Sequence, residues 1–235
     1  MRLINWECLK EMDKLIAEWV KVDAIITDPP YNISRETNFH TMKWNRWTSM
    51  DFWEWDKWFD ITWYIYTISR IIKQWWNIVM FNDWKNLWDI VKFFEINWIE
   101  PKRCLVLNKS NPVPFNRDRM FVNDVEFAIW GVYKPKWKNK WTFNREEKFE
   151  KCVMNTQLQS KKFHPTMKDE KIISKLVRLL TNKWDIVLDP FMGSWTTWLA
   201  CKNLDRDFIW IELDENYFKI AKERINKEEN IIKLF

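Results

Sequence analysis

Apolar runs of strand length alternate along this chain with amphipathic helical stretches, and no other feature narrows the fold so far. Runs buried on both faces need helices packed above and below them, the pattern of a mostly parallel, doubly wound α/β sheet. Strands are expected at residues 24–27, 77–81, 103–107, 126–132, 186–188 and 208–211. Helices are expected at 9–18, 61–73, 85–95, 169–180, 196–203 and 216–226. The 235 residues suffice for one domain, 1–235, with a full core, and no repeat, low-complexity tract or linker divides them. Two stretches leave the rhythm: one from about 33 to 58, and a Lys-, Arg-, Asn- and Pro-rich one from about 108 to 162. Long irregular segments in a compact domain tend to be functional or disordered, so the first is expected to be a mobile loop and the second an inserted binding region.

The run Val22-Asp23-Ala24-Ile25-Ile26-Thr27 ends abruptly at Asp28-Pro29-Pro30-Tyr31. Ligands of doubly wound sheets bind beyond the carboxyl ends of strands, so this tetrapeptide stands where chemistry normally occurs. Its prolines lack backbone donors and stiffen the tip, leaving carbonyls as acceptors. The exocyclic amine of a nucleobase is a poor nucleophile because its lone pair is delocalised into the ring. A carboxylate and a neighbouring carbonyl, each accepting one N–H, can draw that nitrogen towards tetrahedral geometry and free the lone pair for attack. Asp28 and Pro29 suit these two roles, Pro30 keeps the tip rigid, and Tyr31 can stack on a base swung out of the duplex. Taken alone, the tetrapeptide is equally well an ordinary strand-ending turn.

A second strand, turn and helix unit runs Leu188-Asp189-Pro190-Phe191-Met192-Gly193-Ser194-Trp195-Thr196-Thr197. Rossmann-like folds hold a nucleoside cofactor in this way. The strand at 208–211 then ends in Glu212, about twenty residues on, where a carboxylate can accept both ribose hydroxyls.

These residues make the chain resemble the β-class amino-methylating DNA methyltransferases, particularly the small adenine-N6 enzymes. Residues 28–31 match that family's (Asp/Asn/Ser)-Pro-Pro-(Tyr/Phe/Trp) motif, in which Asp usually goes with adenine N6 and Ser often with cytosine N4. Residues 189–197 match its Asp-Pro-Phe-x-Gly-Ser-Gly-Thr-Thr stretch except at Trp195. Lys162-Phe163-His164-Pro165-Thr166-Met167-Lys168 resembles its His-Pro-Thr-x-Lys stretch, and Glu7-Cys8 stands where an acidic residue follows a short strand. With the tetrapeptide first and the cofactor loop last, the motif order is that of the β class, circularly permuted relative to most methyltransferases.

The resemblance covers essentially the whole chain and implies a Rossmann-like methyltransferase fold with S-adenosylmethionine as cofactor. It places Glu7, Cys8, Asp28, His164, Pro165, Thr166, Lys168, Asp189, Phe191, Gly193, Ser194, Thr196, Thr197 and Glu212 around that cofactor. Asp28, Pro29, Pro30 and Tyr31 become the catalytic tip, and the implied reaction is site-specific methylation of adenine N6 in double-stranded DNA by base flipping and direct attack. Methylation of cytosine N4 or of RNA is the alternative, as is an inactive DNA-binding module should Trp195 prevent cofactor binding. A homodimer and a cognate restriction endonuclease stand open as partners.

Composition holds one anomaly, 20 tryptophans against 2 glycines, where a chain of this length ordinarily carries roughly 16 glycines. Trp6, Trp19, Trp44, Trp47, Trp53, Trp58, Trp63, Trp75, Trp76, Trp88, Trp98, Trp137, Trp184, Trp195, Trp198 and Trp210 are the suspects, several of them at turns where φ > 0 and a missing Cβ are useful. The pattern predicts a gene in which UGA encodes glycine, so that the native protein carries glycine at these sites.

The remaining composition decides less. A net charge of +5, from 38 basic and 33 acidic residues, suits a polyanionic partner. Arg117 and Arg119 are candidates for base edges, Lys134, Lys136, Lys138 and Lys140 for phosphates, and His40 for a DNA contact from the loop after the tetrapeptide. Cys8, Cys104, Cys152 and Cys201 are too far apart for CxxC pairs, and the two histidines lack companions at zinc spacing, so no metal is expected. The charged N-terminus and the absence of a long apolar run predict a cytoplasmic protein without a membrane span.

Overall fold

In the computed structural model, residues 2–31, 59–112, 118–119, 121–134, 140–156, 168–191, 193 and 196–232 are described. In chain order they form β1 (Arg2–Asn5), α1 (Cys8–Ala17), β2 (Val22–Thr27), α2 (Ile61–Ile71), β3 (Ile72–Asn82), α3 (Leu87–Ile96), β4 (Ile99–Lys109), β5 (Val125–Tyr133), β6 (Val153–Thr156), α4 (Glu170–Leu180), β7 (Ile186–Asp189), α5 (Thr196–Asn203), β8 (Asp207–Glu212) and α6 (Glu215–Ile232).

All eight strands share one sheet, ordered β1-β8-β7-β2-β3-β5-β4-β6. Neighbours are parallel except where β5 runs antiparallel to both β3 and β4. Strands β5 and β6 come from within the stretch 108–162, so part of the expected insert is central sheet, and only its intervening segments leave the core. One antiparallel strand agrees with a mostly parallel sheet; which strand it is cannot be read from the residues, because a strand buried on both faces looks the same in either direction.

Successive residues of each inner strand point to opposite faces. Ala24, Ile26, Val79 and Phe81 pack with residues of α4, α5 and α6, including Leu176, Trp198 and Ala221. Ile25, Ile78 and Met80 pack on the other face with Met12, Ile65 and Phe94 of α1, α2 and α3. Strands β2 and β7 are paired through Ala24–Val187 and Ile25–Leu188. From that seam the chain winds outward in both directions, to β3 on one side and β8 on the other, which opens a crevice at the carboxyl ends.

Gly131 on β5 is a tight spot. A Cβ there would lie 2.8 Å from Ile99 Cγ2 and 2.9 Å from Phe94 Cδ2, and both of those side chains are fully buried. Gly131→Ala is therefore expected to cost about 1–3 kcal/mol by overpacking. Urea unfolding measures it, and an unchanged midpoint would contradict the packing described.

Among the described residues, the non-glycine positions with positive φ are Trp19 (59°), Trp75 (73°), Trp98 (62°), Trp184 (70°) and Asp205 (59°). Each tryptophan sits at a position with a recognised glycine preference. Trp19 closes α1 in a Schellman arrangement, Val20 N–H donating to Leu15 C=O and Trp19 N–H to Ile16 C=O. Trp98 closes α3 in the same sense, through Glu95 C=O. Trp184 is third in a turn joined by Asp185 N–H and Asn182 C=O, where φ > 0 calls for glycine. Trp75 lies in the irregularity of β3 between the pairs Val22–Ile72 and Ala24–Asn77.

Trp19, Trp98 and Trp184 are 88%, 57% and 77% exposed, so burial does not explain their presence. Trp63, Trp76, Trp88, Trp198 and Trp210 lie in helices or strands without positive φ, and the backbone argument does not reach them. Trp210 is nonetheless fully buried with its indole N–H unpartnered. No helix among the described residues is long and apolar enough to cross a membrane.

Candidate active site

Because β2 and β7 are neighbours, the turns that leave them face one another across the crevice. The first turn carries Asp28, whose two carboxylate oxygens are both engaged. The Lys168 ammonium lies 2.8 Å from Oδ2, and the Tyr31 hydroxyl donates to Oδ1 at 2.5 Å. Pro29 and Pro30 are buried beside them. Two asparagines secure the tip from β3 and the short 3-10 turn after it, Trp84–Asn86. Asn86 Nδ2 donates to the Tyr31 carbonyl at 2.6 Å and to Asn82 Oδ1 at 2.7 Å.

Lys168 is buried in front of α4, where an isolated ammonium would be costly. It has a second carboxylate partner, Glu126 at the start of β5, 3.4 Å away. Glu126 in turn pairs with Lys109 at the end of β4, at 2.9 Å. Burial pulls the Lys168 ammonium down, but Asp28, Tyr31 and Glu126 outweigh it and hold it well above the ordinary lysine value. For Glu126, burial pushes the carboxyl up while Lys168 and Lys109 more than reverse the effect, leaving it below the usual range. Tyr31 is pushed well above the normal phenol value, first by burial and then by the Asp28 charge, so it stays a hydroxyl that can donate.

The second turn begins at Asp189, a buried carboxyl raised to about 8 by desolvation. It accepts from the Thr197 hydroxyl at 2.9 Å and the Phe191 N–H at 3.2 Å, tying the turn to the start of α5. The Phe191 ring meets Phe59 and Tyr64 edge-on, at centroid distances of 5.2 and 5.3 Å. Thr196 is buried, and its hydroxyl reaches the Lys168 carbonyl at 3.4 Å. Gly193 has φ 37° and donates its N–H to Glu212 Oε2 at 3.0 Å, while Glu212 Oε1 accepts from Asp214 N–H.

The sequence-derived residues thus separate into groups. Asp28, Pro29, Pro30, Tyr31 and Lys168 converge on one side of the crevice; Asp189, Phe191, Gly193, Thr196, Thr197 and Glu212 line the other. Glu7 follows β1, which pairs with β8, so it too comes to this edge, but its carboxylate caps α1 by accepting from Leu9 N–H and Lys10 N–H. Cys8 is packed in the core, its thiol pushed up by burial.

Arg119 is exposed in the connection from β4 to β5, which leaves and re-enters the sheet on the Asp28 edge. Lys134 is not brought there. It follows β5 at the opposite edge, where its ammonium pairs with Glu100. Lys140 is exposed two residues before Thr142, whose carbonyl accepts from Asn77 at that same far edge. His40, Arg117, Lys136, Lys138, His164, Pro165, Thr166, Ser194 and Trp195 lie outside the described residues.

Glu126, Lys109, Asn82 and Asn86 were not singled out from sequence. Glu126 offered the one available signal, a carboxylate opening a strand that is otherwise apolar.

Comparisons with known proteins show the family. Residues 22–223 match the family model for DNA methylases that act on N6 or N4. The chain is 28% identical over 249 residues to the type II methyltransferase M.HinfI of Haemophilus influenzae, covering 96% of this chain and 68% of that one. It is 29% identical over 245 residues to M2.LlaDCHI of Lactococcus lactis subsp. cremoris, covering 96% and 89%. The crystal structure of the M1.HpyAVI-SAM complex superposes with a TM-score of 0.75 and 35% identity, covering 95% of this chain and 98% of that one. The cytosine-N4-specific PvuII DNA methyltransferase shares the fold at a TM-score of 0.69 with 14% identity, over 92% of this chain and 83% of that one. A sheet switch point with an acidic Pro-Pro-Tyr tip facing a cofactor-type turn, matched along nearly its whole length, places this chain in the N6/N4 DNA methylase family.

Proposed function

We propose that the protein transfers a methyl group from S-adenosylmethionine to the exocyclic N6 of adenine in double-stranded DNA, at a defined sequence and with the target base flipped out of the helix. The observation that carries this reading is the Asp28 carboxylate, fixed on one oxygen by Lys168 and, among the described residues, held on the other by the Tyr31 hydroxyl, directly across from the turn after β7. An amine N–H entering the crevice can replace the Tyr31 hydroxyl on Oδ1, and the Pro29 carbonyl is the second acceptor. Tyr31, released, offers its ring for stacking.

The residues fit the cofactor. Glu212 ends its strand with a carboxylate that now accepts from backbone N–H groups and suits a ribose diol, and Gly193 keeps a side chain off the turn at a left-handed position. Bound S-adenosylmethionine would supply an electrophilic methyl on a sulfonium. Asp28 then orients the attacking nitrogen and can take the proton that the nitrogen sheds. No covalent link to the enzyme is required.

Arg119, exposed in the β4 to β5 connection, is read as a contact to the duplex, with Arg117, Lys136, Lys138 and His40 as further contacts. Lys134 and Lys140, at the far edge, fit this role poorly. Asp in the first position of the tip favours adenine over cytosine. The test is to incubate the protein with duplex DNA and S-adenosylmethionine and to digest the product to nucleosides. N6-methyladenine is expected; N4-methylcytosine alone would overturn the base assignment.

A further inference from the structure

We infer that Glu126, anchored by Lys109, is a positioning residue for methyl transfer, acting through Lys168 on the Asp28 carboxylate. The inference rests on the role proposed for Asp28. Four charges of alternating sign form one chain, Lys109 to Glu126 at 2.9 Å, Glu126 to Lys168 at 3.4 Å and Lys168 to Asp28 at 2.8 Å. They come from four separate elements: the end of β4, the start of β5, the residue leading into α4 and the tip after β2.

A lysine stem is flexible and its ammonium is a point charge that does not choose among directions by itself. With Asp28 as its sole anionic partner, Lys168 could follow that carboxylate through many orientations. Glu126 pulls it from the β5 side, and the Phe81 ring lies 5.3 Å from its ammonium, so the head is confined between fixed groups. The confined ammonium holds Oδ2 and leaves Oδ1 as the position that the amine can take. The Lys109 side chain is itself mostly buried, which anchors Glu126 to the sheet rather than to solvent.

The experiment compares Glu126→Gln, Lys109→Met and the double variant with the full-length protein, measuring kcat, KM for DNA and the dissociation constant of S-adenosylmethionine by calorimetry. Because displacing a reacting group by about 1 Å costs on the order of 100-fold, Glu126→Gln is expected to lower kcat about 10- to 100-fold while cofactor affinity and KM move less than about 3-fold. Lys109→Met should give a smaller fall, and the double variant no further loss beyond Glu126→Gln, because Lys109 acts through Glu126. Glu126→Asp should recover part of the rate.

Two results overturn the inference: kcat within about 2-fold of the parent in Glu126→Gln, or a loss of rate matched by an equal loss of cofactor binding, which marks general damage to the fold. Asp28→Ala is run alongside. If that variant keeps full activity, the reading of Asp28 has failed; if it is inactive while Glu126→Gln is not, only the present inference has.

Discussion

Asp28→Ala is expected to lower the rate of methyl transfer by roughly three orders of magnitude, the scale lost when one preorganised polar group is removed from a reacting centre. In the proposed mechanism, alanine removes the acceptor that orients the amine and the base that receives its proton. Cofactor affinity should change little, because the carboxylate that suits the ribose, Glu212, lies on β8, across the crevice from this tip. The substitution also strips Lys168 of its nearer partner, but Glu126 remains within ion-pair distance, so the buried ammonium keeps one counter-charge. Asp28→Asn separates the two functions. Its amide oxygen can still accept one N–H, whereas its NH2 group cannot satisfy Lys168 and take up a proton, so an intermediate rate is expected. Single-turnover transfer together with calorimetric cofactor binding measures both, and equal losses of binding and rate would contradict the assignment.

The joint replacement of Trp19, Trp98 and Trp184 by glycine is expected to stabilise the protein, although tryptophan to glycine is ordinarily a damaging change. A non-glycine residue in the left-handed region costs about 1–2 kcal/mol, and glycine gives back about 0.5–1 kcal/mol in backbone entropy. The net gain is about 1 kcal/mol per site, or about 3 kcal/mol for three separate turns, and the thermal midpoint should rise by about 6–12 °C. A lower midpoint would show that these indoles earn their place by packing. The companion change, Trp195→Gly, completes the family's Gly-Ser-Gly run and should tighten S-adenosylmethionine binding at least about tenfold, or about 1.4 kcal/mol. Mass spectrometry of the protein from its own source reads the same sites directly, with glycine expected at each.

What was legible in the sequence divides along physical lines. The strands β2, β7 and β8 and helices α4 and α5 are short, continuous and closely bounded by turn signals, and the expected ranges agree with them to within two residues. The facing of the two turns was legible too, because a doubly wound sheet gathers the carboxyl ends of its strands on one edge. Less visible was β6, four residues with alternate burial inside a lysine-rich stretch whose composition reads as surface. The destination of Lys134 was hidden for another reason: the sequence shows its charge but not that β5 runs backwards and delivers it to the edge opposite Asp28. Glu126 illustrates the same limit from the other side. Its partners are 17 and 42 residues away, at Lys109 and Lys168, and no local pattern couples them; only the pairing of β4 with β5 and the approach of α4 do so.

The most direct measurement is a crystal structure of the protein with a duplex containing its target adenine and an inert analogue of S-adenosylmethionine. The extrahelical N6 should lie within hydrogen-bond distance of Asp28 Oδ1 and the Pro29 carbonyl, with the Tyr31 hydroxyl displaced and the analogue's sulfur position in line behind the amine. An adenine left stacked in the duplex, or one held away from Asp28 with the Tyr31 hydroxyl still on Oδ1, would contradict it.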